Sequence, residues 1–341
     1  RAFGFTQPTG VDLPSETRWT SVYNAQQMAE VDTNLYTAAF GQNEAITPMQ
    51  MATAIAAIAN GGYLVTPYIV DSITDDAGNI ISQTDTSVRR QVISEEVSQE
   101  ILSMMENNVD PNGTLSIRHS CKNAYVAGYR IGGKSGTSEQ LNMDRRSDGD
   151  YKKVASFVAV LPADDPEILV YVMLDDPNNA KTDYSSILAA PVVGNIISEI
   201  APYLGIATDG TDRSGTIVKV PNLIGNEWSN AQVSLNIKGL KHQLAESDAS
   251  QAGAVVTYQY PRAGAEVPYG TTVYLYTDTY EGRHTEVPDV TGKSADFARQ
   301  MLAAAGLNCI VAGDANGLVQ EQSEAAGASV QRGTLVTITC G

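Results

Sequence analysis

The sequence repeats itself in its C-terminal part, and this repeat restricts the possible folds more than any other feature. VPNLIG at residues 220–225 recurs as VPDVTG at 287–292, and GTTV at 270–273 recurs as GTLV at 333–336. A sequence that recurs in this way encodes one structural unit twice. From its residues, each copy is predicted to begin without a strand and to continue with a helix and three short strands, and we group these small modules with the βαββ type.

A stretch rich in glycine and hydroxyl residues, GGKSGTSE at residues 132–139, predicts a strand that a ligand can approach closely. Because side chains alternate along a strand, Ser135, Thr137 and Glu139 share one face and Lys134 takes the other. Two hydroxyls, a cation and a run of backbone N–H groups suit an anionic, peptide-like ligand. From spacing alone, the alternative is a plain edge strand with a solvent-facing lysine.

The same residues also match a phosphate-binding loop, since residues 128–135 satisfy G-x-x-x-x-G-K-[ST]. Such a loop must open directly into a helix whose N-terminus holds the phosphates. Here a polar, doubly basic stretch up to Lys153 follows instead, without a helical apolar period. The context therefore disfavours a nucleotide site.

Two helices are predicted upstream of this strand. Thr47 is a candidate N-cap before Pro48, and the helix that they begin ends at Gly61. Ser94 is a candidate N-cap for a second helix, whose apolar face runs to Val109.

The remaining pattern completes an α/β (α+β) fold with an antiparallel sheet flanked by helices. Extended segments are predicted at residues 35–40, 63–73, 154–161 and 168–174. The last of these is nearly all apolar, so both faces of its sheet should be covered. A final helix is predicted over 186–204, in which Pro191 must lie in the first turn or kink the helix.

Composition narrows the classes of partner. The net charge of −17 argues against nucleic acid or an anionic membrane as a partner. No run reaches the roughly 18 apolar residues of a membrane span, and no signal peptide begins the chain. Any membrane anchor is therefore expected upstream of residue 1.

No metal site or cofactor is predicted, because no cysteine and histidine spacing suggests one. The three histidines, His119, His242 and His284, are expected at the surface. Cys121 is expected to be a small buried hydrophobe. Cys309 and Cys340 fall on predicted strands of the last module, and the sequence leaves open whether they form a disulfide.

Lys134-Ser135-Gly136 matches the Lys-(Ser/Thr)-Gly motif of penicillin-binding proteins and serine β-lactamases. Two flanking blocks strengthen the match: FGF and TGVDLP within residues 3–14, and GQNEAITPMQ at 41–50, which runs into NGG at 60–62. The chain thereby resembles the C-terminal part of a class B (monofunctional) penicillin-binding protein transpeptidase, of the division and sporulation type of Gram-positive bacteria.

The repeats resemble PASTA modules, which occur on such transpeptidases and on kinases that sense the cell wall. The resemblance implies a C-terminal portion of a transpeptidase domain at residues 1–205 and a linker at 206–218. Two PASTA domains follow at 219–278 and 287–341, with a linker at 279–286 between them.

The resemblance implies a peptidoglycan D,D-transpeptidase that cross-links stem peptides through a serine acyl-enzyme and binds β-lactams. Lys134 and Thr137 would be catalytic, with Thr137 N–H as an oxyanion donor. Ser135, Gly136, Thr137 and Glu139 would line the substrate site. The family's Ser-x-x-Lys and Ser-x-Asn motifs do not occur in residues 1–133, so the nucleophile is expected upstream and this chain alone should be inactive.

Two other functions stay open at this point. One is hydrolysis of the same acyl-enzyme, as in a D,D-carboxypeptidase or β-lactamase, and the other is a non-catalytic wall-binding PASTA protein. The resemblance places the chain on the cell-wall side of the cytoplasmic membrane. Muropeptides or division-machinery proteins are candidate partners of the PASTA modules.

Overall fold

The computed structural model describes residues 1–17, 21–39, 41–42, 44–114, 120–140, 145, 149–177, 184–211, 213, 215–244, 253–277 and 284–341. They form two compact units, one of Arg1–Tyr125 with Tyr129–Asp209 and one of Val126–Gly128 with Gly210–Gly341. The elements of the first unit are α1 (Ala25–Glu30), α2 (Asp32–Ala39), α3 (Pro48–Ala59), β1 (Tyr63–Val65), β2 (Ser72–Thr74), β3 (Ile80–Gln83), β4 (Val88–Gln91), α4 (Glu95–Val109), a 3-10 helix (Ser120–Ala124), β5 (Gly132–Glu139), β6 (Lys153–Leu161), β7 (Ile168–Asp175) and α5 (Ser185–Leu204).

Helix α3 begins with the predicted capping box. The Thr47 hydroxyl accepts from the Gln50 N–H at 3.1 Å, and the Gln50 side chain accepts from the Thr47 N–H at 2.9 Å. Gln50 is buried and also donates to the carbonyls of Phe5 and Gln7, at 3.3 and 2.7 Å. One side chain thus joins the two sequence blocks, around residues 3–14 and 41–50, that accompany the Lys134 motif.

The central sheet has the order β5-β6-β7 and is antiparallel throughout, as predicted. Residues directly opposite each other share a face, so Gly132 and Val160 lie on one face. Helices α3 and α4 cover that face, where Leu102 and Met105 of α4 pack on Val160. Ser94 is the N-cap of α4, as predicted, and its hydroxyl accepts from the Val97 N–H at 3.3 Å.

Helix α5 covers the other face of the sheet. Its inward residues are small or aliphatic and fully buried: Ala189, Ala190, Val193, Ile197 and Ala201. Pro191 lies in the second turn, not in the first. The helix is long and apolar enough to cross a membrane by length and composition alone, although polar residues interrupt its apolar runs. Since its buried side chains pack on the sheet, we assign it to the core.

Two predicted extended segments are wrong. Residues 35–39 belong to α2, and Phe40 lies outside the described residues. Asp32 lies in the first turn of α2, where a negative charge interacts favourably with the helix dipole. The segment 63–73 is not one strand but contributes to β1 and β2, which pair with β4 and β3 respectively. Pro67 lies between them and lacks the N–H that a continuous ladder would need.

The second unit contains two modules with the same element order. The first has β8 (Ile217–Lys219), α6 (Trp228–Lys238), β9 (Lys241–Leu244), β10 (Tyr258–Tyr260), β11 (Glu266–Pro268) and β12 (Thr272–Tyr276). The second has β13 (His284–Glu286), α7 (Ala295–Ala304), β14 (Asn308–Gly313), β15 (Val319–Gln322), β16 (Ser329–Gln331) and β17 (Leu335–Cys340).

Each module therefore reads β-α-β-β-β-β, which corrects the predicted βαββ pattern and its strand-free start. The missed strands β8 and β13 have three residues each, too few for a periodic signal. They pair with β11 and β16 respectively. The other three strands of each module form a mixed sheet, in the order β10-β12-β9 in the first module and β14-β17-β15 in the second. Strand β13 begins inside the predicted linker at 279–286.

The cysteines and histidines are only partly as predicted. Cys121 is buried, as expected, and all three thiols are free. Cys309 pairs with Val336 and Cys340 with Gly313, so the two cysteines lie four register positions apart on β14 and β17. His119 lies outside the described residues. His242 is not a surface residue: it is half-buried with its ring 5.7 Å from that of Trp228.

Candidate functional site

Strand β5 lies at an edge of its sheet, and no strand among the described residues pairs with its outer side. Two hydrogen bonds show which backbone groups face that side. The Gly133 carbonyl accepts from Asn108 Nδ2 at 2.9 Å, and the Ser135 carbonyl accepts from Lys134 Nζ at 2.5 Å. Neither donor belongs to β6, so both carbonyls point away from that strand.

The intervening residues face β6. The Gly136 carbonyl, for example, is reached by the Ser156 hydroxyl of β6 at 3.3 Å. The N–H and C=O of one strand residue point the same way, and the direction alternates along the strand. The backbone groups of Ser135, Thr137 and Glu139 therefore face the open edge, where an extended peptide could pair with them.

The two hydroxyls of the motif each accept a hydrogen bond from the protein behind them. Cys121 Sγ donates to Ser135 Oγ at 3.5 Å, a weak bond. The Ser185 N–H donates to Thr137 Oγ1 at 3.1 Å. A hydroxyl carries one donor and two acceptor lone pairs, so both oxygens are held in place while their protons can still be directed to a ligand.

Lys134 and Glu139 are the charged residues of this strand, and both are exposed. The Lys134 ammonium group has three N–H donors, and one of them donates to the Ser135 carbonyl. This bond places the positive charge of Lys134 at the open edge. Glu139 forms no ion pair with the described residues. Arg145, the nearest described arginine along the chain, is instead bound to the Gly149 carbonyl at 2.6 Å and stacked on Tyr151.

Contacts at the N-terminal end fix the position of β5. Arg130 binds both carboxylate oxygens of Glu106 on α4, at 2.7 and 2.8 Å, and also pairs with Asp164 in the β6–β7 turn. The ion pair raises the pKa of Arg130, chiefly through the hydrogen bond that its guanidinium donates to Glu106. Asn108 of α4 adds its bond to the Gly133 carbonyl. Strand β5 is therefore held to the helix that precedes it.

Five residues were predicted from the sequence to form the site, and all of them lie on β5: Lys134, Ser135, Gly136, Thr137 and Glu139. It missed Asn108, Arg130 and Ser185, because each acts through a contact across the fold and no local pattern marks it. The phosphate-loop alternative is excluded by the geometry, since Lys134 and Ser135 lie inside a strand and not at a helix N-terminus. Among the described residues, no cluster of three potential metal ligands occurs.

This arrangement can bind an extended chain that ends in an anion. The open edge supplies backbone donors, two hydroxyl groups lie beside it and can donate to a ligand, and one ammonium group accompanies them. That chemistry agrees with the family assignment: residues 1–198 match the penicillin binding protein transpeptidase domain, and residues 218–279 and 285–341 match the PASTA domain. The chain belongs to the penicillin-binding protein transpeptidase family and carries two PASTA domains.

The curated relatives of this chain include a sporulation protein and a probable peptidoglycan D,D-transpeptidase. The chain is 33% identical over 291 residues to stage V sporulation protein D of Bacillus subtilis, covering 80% of this chain and 41% of the relative. It is 30% identical over 214 residues to the probable peptidoglycan D,D-transpeptidase FtsI of Caulobacter vibrioides, covering 60% and 33%. The chain thus spans less than half the length of these relatives.

Solved structures confirm the fold of the first unit. Penicillin binding protein 3 of Mycobacterium tuberculosis, complexed with ampicillin, is 27% identical with a TM-score of 0.52, over 62% of this chain and 46% of that protein. Its complex with aztreonam gives the same identity and TM-score. The predicted penicillin-binding fold is therefore confirmed.

Proposed function

We propose that this chain is part of a serine D,D-transpeptidase that cross-links peptidoglycan stem peptides. The observation that carries the proposal is the open edge of β5, where Lys134 and the hydroxyls of Ser135 and Thr137 accompany outward-facing backbone groups. The named activities of the relatives support the reaction class. The lack of Ser-x-x-Lys in residues 1–133 leads us to place the nucleophile in sequence outside these 341 residues.

In this mechanism the donor stem peptide lies along β5 as an added strand. The Ser135 and Thr137 hydroxyls donate to its terminal carboxylate, and the Lys134 ammonium adds attraction for the negative charge. The serine oxygen attacks the scissile carbonyl, and its proton passes to a base. The tetrahedral oxyanion accepts from the Thr137 N–H; removing one such donor typically costs about 2.7–4 kcal/mol.

Collapse of the tetrahedral intermediate breaks the peptide bond. The terminal amino acid leaves with a proton on its nitrogen, and the peptide stays on serine as an ester. The amine of a second stem peptide then attacks the ester and releases the serine. Water in place of this amine would give hydrolysis, so exclusion of water decides between a transpeptidase and a carboxypeptidase.

β-Lactams enter the same site as covalent inhibitors, as the ampicillin and aztreonam complexes of the M. tuberculosis protein suggest. We place the chain on the outer, cell-wall side of the cytoplasmic membrane, held by an anchor outside this sequence. The PASTA domains would contact muropeptides or proteins of the division machinery.

The proposal is tested with a fluorescent penicillin and intact mass measurement. The protein extended by its N-terminal sequence should form a stoichiometric adduct that survives denaturation, and residues 1–341 alone should form none. An adduct on residues 1–341 would overturn the placement of the nucleophile. No adduct on the extended protein would favour a non-catalytic wall-binding protein, and rapid release of the acyl group would favour a hydrolase.

A further inference from the structure

The first amide of α5 finds its hydrogen-bond partner on β5. Tyr184, the N-cap residue of this 20-residue helix, makes no side-chain capping bond. The Ser185 N–H instead donates to Thr137 Oγ1 at 3.1 Å. Helix N-termini leave such amides unpaired and carry a partial positive charge. A threonine 48 residues earlier in the chain therefore serves as the cap of α5.

The same pair makes a second bond in the opposite sense. The Thr137 hydroxyl donates to Ser185 Oγ at 3.0 Å. Ser185 is only 2% exposed, whereas Thr137 is exposed at the open edge of the sheet. The Thr137 proton thus rests on a buried oxygen, although its own oxygen lies within reach of a ligand.

We propose that Ser185 is a positioning residue for Thr137 and sets the preference of the site for a ligand carboxylate. Its N–H fixes the Thr137 oxygen and, as the first amide of a helix, polarises the hydroxyl toward donation. Its Oγ holds the proton until a stronger acceptor arrives. Hydrogen bonds to an ionised acceptor are about twice as strong as neutral ones, so a carboxylate displaces Ser185 Oγ more readily than an ester or amide does. This inference rests on the proposed function.

The capping contact is tested on this chain without any ligand. Amide hydrogen exchange at Ser185 should become at least about tenfold faster in Thr137→Val, because the amide loses its acceptor. Ser138→Ala changes the opposite face of the same strand and should leave that exchange rate unchanged. Equal exchange in the wild type and Thr137→Val would show that the capping bond is absent, and would overturn the inference.

Two substitutions at Ser185 separate its groups in the N-terminally extended protein. Ser185→Ala keeps the N–H and removes the resting acceptor, so acylation by benzylpenicillin should become about two- to fivefold faster. Ser185→Pro also removes the N–H, and its ring forces the Thr137 hydroxyl to turn away; acylation should fall about tenfold or more. Proline is favoured at the first helical position, and Tyr184 already has the extended conformation that proline requires, with φ −72° and ψ 121°.

A double-mutant comparison excludes a merely structural role. In the Thr137→Val background neither Ser185 variant should change the acylation rate further, and thermal unfolding should verify that both fold. With a penicillin whose carboxylate is esterified, the Ser185→Ala gain should be lost or reversed. The inference would be overturned if the Ser185 variants changed the acylation rate equally with and without the Thr137 hydroxyl, or equally for the free and the esterified penicillin. The proposed function would survive either result. If the wild type is never acylated, the proposed function fails, and the inference with it.

Discussion

Gly133 is required by packing. A Cβ built there would lie 2.8 Å from Phe157 Cε1 and 2.8 Å from Val109 Cγ2, both in the buried core. Gly136 is different, because its nearest neighbour is the Ser156 hydroxyl at 3.1 Å, which can rotate. The two glycines therefore differ in their surroundings. Gly133 leaves no room for a side chain in the core, whereas Gly136 lies at the surface next to a side chain that can move.

We expect Gly133→Ala to destabilise the first unit by about 1–3 kcal/mol, the usual cost of overpacking. Gly136→Ala is the matched control and should change the free energy of unfolding by less than about 1 kcal/mol. Urea unfolding of the two variants measures the difference. Equal stabilities would mean that α4 yields to a methyl group, and that Gly133 has no packing role.

Glu139 places a negative charge on the face that carries Thr137. Two residues along a strand span roughly 7 Å, so a ligand carboxylate at Thr137 would lie about 8 Å from that of Glu139. Repulsion at this distance is roughly 0.5 kcal/mol at the dielectric of water and about 2 kcal/mol at an effective value near 20. Because Glu139 is exposed and salt screens it, the lower half of this range applies.

Glu139→Gln in the N-terminally extended protein should therefore speed acylation by an anionic penicillin about two- to tenfold, and more at low ionic strength. Glu167→Gln removes one charge at the opposite end of the sheet and serves as the control. Stopped-flow acylation at two salt concentrations measures both. If the rates of wild type and Glu139→Gln coincide at low salt, Glu139 does not act on the site.

At the scale of elements, a glutamine in each PASTA module joins the first loop of the module to its sheet, and it is buried in the first module and partly buried in the second. Gln259 accepts from the Leu223 N–H at 2.7 Å and donates to the Pro221 carbonyl at 2.9 Å. Gln322 repeats the pattern, accepting from the Val290 N–H at 2.9 Å and donating to the Pro288 carbonyl at 3.2 Å. The repeated VP motif thus has its partner in the same module.

Gln259→Leu in residues 215–341 should lower stability by about 2–4 kcal/mol, because it leaves a buried N–H and a carbonyl unpaired. Gln322→Leu should have the same sign in the second module. Gln243→Leu, at an exposed position of β9, is the control for added apolar surface. Thermal unfolding by circular dichroism compares the three; a neutral Gln259→Leu would show that the bonds contribute nothing.

Strand β9 carries a pH-sensitive residue. Burial lowers the pKa of His242 from 6.5 to about 4, since the charged ring loses its water. The unfolded chain therefore binds a proton more readily than the folded module. The contribution of neutral His242 to stability is complete above pH 6.5 and is lost as the pH falls from 6.5 to about 4.

The loss should reach about 3 kcal/mol near pH 4, from a pKa difference of about 2.5. His242→Phe should flatten the fall in stability of residues 215–341 between pH 6.5 and 4, whereas the same substitution at exposed His284 should keep it. Urea unfolding across this pH range provides the measurement. An unchanged slope in His242→Phe would show that other groups cause the pH dependence.

At the scale of the whole second unit, a buried side chain of the second module bonds to the first module. Asn308 of β14 accepts from the Thr272 N–H at 2.8 Å and donates to the Thr272 carbonyl at 3.0 Å. The two modules also approach each other closely at Gly333 of the second module. A Cβ at this glycine would lie 2.9 Å from the Tyr260 carbonyl oxygen and 3.0 Å from Tyr274 Cδ2. The PASTA pair is therefore expected to move as one body.

Residues 215–341 should fold alone, because each module has its own core. Nitrogen-15 relaxation should give one rotational correlation time for both modules in the wild type. Asn308→Ala should give two shorter, unequal values, and Asn316→Ala on an exposed turn should not. Undispersed spectra would refute an independent tail, and equal correlation times in Asn308→Ala would show that the modules do not depend on this contact.

Much of the fold was readable because its signals are local. The caps at Thr47 and Ser94, the strand at 132–139 and the apolar strand at 168–175 each depend on residues within a few positions of one another. The errors arose where local signals were short or ambiguous. Strands β8 and β13 have only three residues each, and the propensity of residues 35–39 did not separate helix from strand.

The sequence by itself determined the family, the repeat and the five residues of the β5 motif, since these follow from residue order. Only the tertiary structure decided which backbone groups of β5 face the open edge and which side chains stand behind its hydroxyls. It also decided that Asn308 joins the two modules. These features depend on pairing register and on contacts between residues far apart in the chain, such as Thr137 with Ser185 and Asn308 with Thr272. No periodicity or spacing encodes such contacts, because packing brings the partners together only after each element has formed.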